Sequence, residues 1–317
     1  MSLLFANTEL SVWGNSGKLT VRNERTGETM QLRHEMAWFA HVQVSGTKIA
    51  YASTQPPGAV CFADVRTGES RLELLGDEPR IQIELVTMSR DATALVAVSY
   101  YPCVVYVCTS SGNTVMDEWG RRRDYAVDAT CVQRNRACIA WSDGTVDVVN
   151  IDSKTRMHVV SIHTEAMDMT SDARVLITAI PRNVIALWDV ESGTRLGSLS
   201  AAGFVFRPIV NQCVVKTSKD NTCVAVVSDS GMVRVFDLRT REVLVEIAAD
   251  HRNAIRRLHF EDSLPDGTIF TNREYESGEF MLERTIRKAV LPIFEIPALA
   301  QRDGDHAIKC RVLRMLL

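Results

Sequence analysis

The chain has 317 residues, 46% of them hydrophobic and 24% charged, with a formal net charge of −3. That balance lacks the basic excess of a nucleic-acid footprint, so nucleic acid is not expected as a direct ligand. No run of about 18 apolar residues is present, which argues against a helical membrane span. Met1-Ser2-Leu3-Leu4-Phe5 has no basic leader and is not expected to be a signal peptide.

The predicted elements follow one repeating string: a short apolar or β-branched run, a polar position, a turn with Thr or Ser and Gly, and another apolar run. In chain order the polar position is Asn23, Asp64, Cys108, Asn150, Asp189, Asp237 and Glu283. Successive marks are about 43 residues apart on average, within the roughly 40–45 residues of a four-stranded propeller unit. Seven marks predict seven units. The fourth is the clearest, with Ala137–Trp141 and Thr145–Val149 flanking Ser142-Asp143-Gly144. Asp-Gly between two β-prone runs signals a hairpin, because the turn needs positive φ. Asn15-Ser16-Gly17 and Asp229-Ser230-Gly231 hold the same phase. Runs that are apolar on successive residues suit sheets buried on both faces. Residues 297–303 could form one turn of helix, and no long 3.6-residue stripe occurs. The reading is therefore all-β, a seven-bladed propeller of four-stranded antiparallel blades, forming a single domain over residues 1–317.

Blade seven is expected from Leu258–Phe260, Thr268–Phe270, Phe280–Leu282 and Val290–Phe294. The tail from Ala307 to Leu317 is then left over, and it is predicted to pair with the N-terminal blade and clasp the ring. Closure would remove open sheet edges. Most of the eight cysteines, among them Cys61, Cys103, Cys131, Cys138, Cys213 and Cys223, fall in strand runs. They read as buried reduced thiols, which points to the cytoplasm or nucleus.

At Leu187-Trp188-Asp189 and Val235-Phe236-Asp237-Leu238-Arg239-Thr240 the chain resembles the WD-repeat family of β-propellers. Asp250-His251 is similar to the Gly-His pair that opens such repeats, with Asp in place of Gly, and His163 stands in a comparable place. The resemblance spans the chain by period and is degenerate by motif, since Trp188-Asp189 is the one true Trp-Asp pair. It implies structural roles for His163, Thr178, Trp188, Asp189, Asp237 and His251. His163, Thr178 and Trp188 would supply three members of a buried hydrogen-bond network. The expected Asp of that network is replaced by the segment Pro181-Arg182-Asn183.

Catalytic and metal motifs are missing. The seven histidines are scattered along the chain, there is no Gly-x-Ser-x-Gly elbow, and no Walker loop is present. The spacings of Cys103 and Cys108, and of Cys131 and Cys138, fit strand cores better than zinc sites. No catalytic residue, cofactor or metal is assigned. Three segments are candidates for binding a protein partner. Arg121, Arg122 and Arg123 can grip acidic groups with planar, bidentate hydrogen bonds. Phe204, Phe206 and Arg207 carry the aromatic and arginine chemistry of interface anchors. Tyr100 and Tyr101 form a third group.

The function expected is a non-catalytic scaffold or adaptor, monomeric within a hetero-complex, binding peptide segments of a larger subunit without a membrane. By size and bare architecture it is similar to the spindle-checkpoint (kinetochore) and messenger-RNA-export propellers. A subunit of a coat, nuclear-pore or ribosome-associated assembly is an alternative. From another class, a propeller hydrolase or lyase would show carboxylates and histidines converging at a channel mouth.

Overall fold

The structure is a computed structural model that describes residues 2–6, 10–15, 18–24, 26–32, 42–53, 58–75, 83–100, 103–109, 114–116, 127–153, 155–164, 166–180, 184–200, 214–228, 232–247, 254–260, 269–274, 280–285 and 311–312. These residues are all-β, with no helix among them. They form seven four-stranded sheets. Sheet 1 contains β1 (Ser2–Ala6), β2 (Leu10–Asn15), β3 (Lys18–Asn23) and β4 (Thr29–Gln31). Sheet 2 contains β5 (Gln43–Ser45), β6 (Lys48–Ser53), β7 (Ala59–Asp64) and β8 (Glu69–Leu74). Sheet 3 contains β9 (Ile83–Met88), β10 (Ala94–Tyr100), β11 (Cys103–Thr109) and β12 (Thr114–Met116). Sheet 4 contains β13 (Val127–Gln133), β14 (Arg136–Trp141), β15 (Thr145–Asn150) and β16 (Thr155–Ser161). Sheet 5 contains β17 (Ala166–Met169), β18 (Val175–Ile180), β19 (Val184–Asp189) and β20 (Arg195–Ser200). Sheet 6 contains β21 (Val214–Thr217), β22 (Cys223–Val227), β23 (Val233–Asp237) and β24 (Val243–Ile247). Sheet 7 contains β25 (Ala254–Phe260), β26 (Ile269–Glu274), β27 (Phe280–Thr285) and β28 (Arg311–Val312).

In sheets 1 to 6 each strand pairs antiparallel with the next in sequence. Sheet 7 departs from this pattern. Arg311–Val312 runs parallel to β27, pairing with Glu283 and Arg284. The tail was expected to join the N-terminal sheet, and this pairing corrects that expectation. β27 pairs with β26 on one side, and the tail covers its other edge. The strand expected at Val290–Phe294 and the helical turn at 297–303 lie outside the described residues.

Burial explains the doubly apolar runs. In β6, β14 and β22 nearly every residue is buried, including Tyr51 and Trp141. The apolar clusters lie between sheets. One spans sheets 1, 2 and 3, a second joins sheets 3 and 4, a third sheets 4 and 5, and a fourth sheets 5 and 6. The first strands pack in series from β5 through β9, β13, β17 and β21 to β25, and β1 lies against β27.

The polar repeat mark has a physical role. Asn23, Asp64, Asn150, Asp189 and Asp237 each end the third strand of their sheet. The side-chain Oδ1 of each accepts a backbone N–H from the turn that follows: Thr26 at 3.1 Å, Arg66 at 2.9 Å, Ser153 at 3.1 Å, Ser192 at 2.7 Å and Arg239 at 2.8 Å. This side-chain mimicry of a backbone turn is what Asn and Asp supply. The fourth residue after the mark then takes positive φ and donates its N–H to the mark's carbonyl. Gly27, Gly68 and Gly193 do so, and Arg241 does so at φ 65°. The hairpin at Ser142-Asp143-Gly144 is a three-residue loop with Gly144 at φ 82°.

Candidate functional site

The turns between first and second strands form a second polar repeat, out of phase with the first. In Ser89-Arg90-Asp91, Thr170-Ser171-Asp172 and Ser218-Lys219-Asp220 the first hydroxyl donates to the aspartate, at 2.6, 2.7 and 2.6 Å. The same hydroxyls accept the N–H that re-enters the sheet, from Ala94, Val175 and Cys223, at 3.0, 2.9 and 2.9 Å. Ala92, Ala173 and Asn221 absorb the tight reversal at positive φ. Ser89 and Thr93 donate to Asp91. Burial works against ionisation there and is the largest single influence, yet these donors together hold the Asp91 carboxyl below its usual range.

From the first of these turns Arg90 reaches into the other sheets. Its backbone N–H donates to Gln133 Oε1 of sheet 4 at 3.3 Å, and its carbonyl accepts from Ser45 of sheet 2. Its guanidinium Nη2 lies 3.3 Å from Asp168 Oδ2 on β17 and 2.6 Å from Thr217 Oγ1 on β21, and it also meets the Thr217 carbonyl. Thr217 completes the group by donating to Asp168 Oδ2 from its backbone N at 2.7 Å and from Oγ1 at 2.9 Å. One residue of sheet 3 thus touches sheets 2, 4, 5 and 6.

The electrostatics follow from burial. Asp168 is buried, and burial is the largest influence on its carboxyl, in the raising direction. The charges of Lys216 and Arg90 and the two Thr217 hydrogen bonds together outweigh it and hold the pKa below the usual carboxylate range. Cys131, on β13, is pushed well above the ordinary thiol value by burial, by its hydrogen bond with Cys138 and by the Cys138 and Asp168 charges, with Lys216 opposing. Cys61 is also raised by burial. These thiols are therefore not thiolates poised for attack. Asp168 Oδ2, already an acceptor for several donors, is poorly placed to take a proton from a substrate. Among the described residues no group of three or more His, Cys, Asp or Glu is arranged to hold a metal. A cavity of about 390 Å³ lined by Val21, Asn23, Glu28, Thr29, Met30 and Val65 lies by the turns of sheets 1 and 2.

Further polar ties join sheets on the same side as Arg90. Thr87 and Thr130 share a hydrogen bond of 2.7 Å between sheets 3 and 4. Arg136 pairs with Glu191 at 3.1 Å between sheets 4 and 5. Ser171 Oγ donates to the Lys219 carbonyl at 2.7 Å, and Arg241 to the Leu196 carbonyl at 3.0 Å, both between sheets 5 and 6.

Of the residues singled out by sequence, Trp188 Nε1 donates to Thr178 Oγ1 at 3.0 Å. His163 is not joined to them. It is exposed and lies over Gly144 of sheet 4. Asp189 and Asp237 cap their turns. Tyr100 ends β10. Tyr101, Arg121, Arg122, Arg123, Phe204, Phe206, Arg207 and His251 lie outside the described residues.

Comparison with known proteins returns no matching family model. It returns no matching curated protein either. No described helix is long and apolar enough to cross a membrane.

Proposed function

We propose that this chain is a seven-bladed β-propeller similar to the WD-repeat proteins, working as a non-catalytic scaffold that binds peptide segments of larger partners. The observation that carries this reading is the serial packing of first strands from sheet 2 to sheet 7, with β1 against β27. Such an order is what radial repetition around an axis produces. The consumption of Arg90, Asp168 and Thr217 in mutual hydrogen bonds favours a stiff platform over a proton-transfer centre.

The alternation of strands suggests which end binds. Within each of sheets 1 to 6 the turn after the first strand and the turn after the third strand lie at one end. That end holds the capped turns and the intersheet ties. The second and fourth strands finish at the other end, where β10 ends at Tyr100. Our reading places peptide capture there, with arginine and aromatic side chains gripping an acidic segment.

Affinity purification from the native cell with crosslinking tests the proposal. Arg121→Glu, Arg122→Glu and Arg123→Glu together should weaken partner capture with little change in Tm. Undiminished capture would remove those arginines from the site. Recovery of only the lone protein, turning over a small molecule, would overturn the scaffold. Solution scattering that fits an extended stack of sheets instead of a disc would overturn the ring.

A further inference from the structure

We propose that Arg90 is a central latch: it ties sheet 3 to the non-neighbouring sheets 5 and 6 and keeps the buried thiols of Cys131 and Cys138 closed to solvent. This rests on the circular arrangement proposed above, which wild-type scattering tests separately.

The geometry is unusual for an arginine that serves stability alone. Nη2 has acceptors on two sheets, but Nη1 is buried with no hydrogen-bond partner among the described residues. A buried donor without an acceptor is costly, and apolar replacements of buried ionic groups are often neutral or stabilising. What an apolar side chain cannot supply is direction. The guanidinium fixes where Asp168 of β17 and Thr217 of β21 sit relative to β9, while the backbone of the same residue fixes Gln133 and Ser45. In packed repeat sheets, neighbours are held by apolar contact. Here one side chain bridges past the neighbouring sheet 4.

Cys131 lies on β13 two residues before Gln133, the acceptor of the Arg90 N–H, and it packs in one apolar cluster with Met167 and Met169, which flank Asp168. It sits directly opposite Cys138 on β14, a member of the same cluster. Both thiols are free and buried, 3% and 0% exposed. If the latch is what closes the centre, these two thiols report its opening. Cys61 is also buried and free, but it belongs to β7, the third strand of sheet 2, and serves as the internal control.

The test is the rate of maleimide labelling of the intact, folded chain, mapped by peptide mass. In wild type, Cys131, Cys138 and Cys61 should all be protected. In Arg90→Met, Cys131 and Cys138 should label at least tenfold faster while Cys61 keeps its wild-type rate. Thr217→Val removes one anchor of the guanidinium and should give a smaller acceleration at the same two thiols. It stands in for Arg90→Met, by the same criterion, if that variant does not fold. Protection of Cys131 unchanged from wild type would overturn the latch, and so would equal acceleration at Cys61, which signals general loosening. Because variants of one fold are compared, the latch can fail while the ring stands.

Discussion

Sheets 4 and 5 are neighbours with the same strand order, yet they satisfy buried polar groups differently. In sheet 4 the tryptophan is on the second strand: Trp141 Nε1 donates to Asp147 Oδ2 on the third strand at 3.0 Å. Both residues are 1% exposed, and among the described residues Asp147 Oδ1 has no hydrogen bond, with Arg156 Nη1 at 3.6 Å. In sheet 5 the positions are exchanged. Trp188 is on the third strand and half-buried, and its acceptor is the neutral hydroxyl of Thr178 on the second. Sheet 5 keeps its buried carboxylate on the first strand, where Asp168 is met by Thr217 and Arg90 of other sheets. Sheet 4 therefore satisfies its aspartate locally and incompletely, whereas sheet 5 satisfies its own through its neighbours. A buried charge that depends on one donor is the more vulnerable arrangement.

The tryptophans should show the largest effect. Trp141→Ala removes a fully buried ring and strips Asp147 of its donor, so a loss of about 4 kcal/mol is expected. Trp188→Ala gives up a half-buried ring and leaves a neutral hydroxyl, so a loss of about 2 kcal/mol is expected. Denaturant titrations of the two variants check this order. Equal losses would break the distinction between the sheets.

The Asp168 carboxylate sharpens it. Asp168→Asn should cost about 2 kcal/mol at neutral pH, because hydrogen bonds to a charged group are replaced by neutral ones beside Arg90 and Lys216. The sign of the pH effect follows from the depressed pKa in the fold. The unfolded carboxyl titrates near its ordinary value of about 3.9, so the Asp168 contribution is complete above that pH and is lost as pH falls through the lower folded value. In wild type this adds to the acid limb of the stability profile, and in Asp168→Asn that part of the limb should be absent. Stability measured between pH 7 and pH 3 decides it, and identical acid limbs would show that Asp168 is not held ionised by its neighbours.

The contrast also explains what was legible in the sequence. Local devices were readable. The marks Asn23, Asp64, Asn150, Asp189 and Asp237 recur because each caps the turn that follows it, a requirement met within a few residues. Cys108 and Glu283 keep the period without that place at a strand end: Cys108 is one residue short of the end of β11, and Glu283 lies inside β27. The hydroxyl-x-Asp turns at Ser89, Thr170 and Ser218 carry an equally local signal. They could have been found by asking which polar residues recur in a second phase. The Arg90 group could not, because Asp168 is a lone acid in an apolar strand and its partners lie 78 and 49 residues away in the chain. The tail posed the same difficulty. Its apolar residues suit a strand or an amphipathic helix, and which edge a strand would cover depends on edges left open elsewhere in the fold.

The smallest expected effect concerns Arg241, where a local rule and an intersheet tie oppose each other. Gly27, Gly68 and Gly193 occupy the positive-φ place of their turns without a Cβ penalty, whereas Arg241 sits there at φ 65°. Arg241→Gly should recover about 1 kcal/mol of backbone strain. It also removes the 3.0 Å hydrogen bond to the Leu196 carbonyl and the guanidinium that lies over Gly197 in sheet 5, a loss of about 1 kcal/mol. The two nearly cancel, so the expected net change is within about 0.5 kcal/mol. Amide exchange separates the two contributions where the total does not. In Arg241→Gly the amides of β20 should exchange faster while those of β23 hold. Uniform protection across both strands would mean that the side chain adds no tie between the sheets and that the residue is tolerated there only at the expense of its backbone.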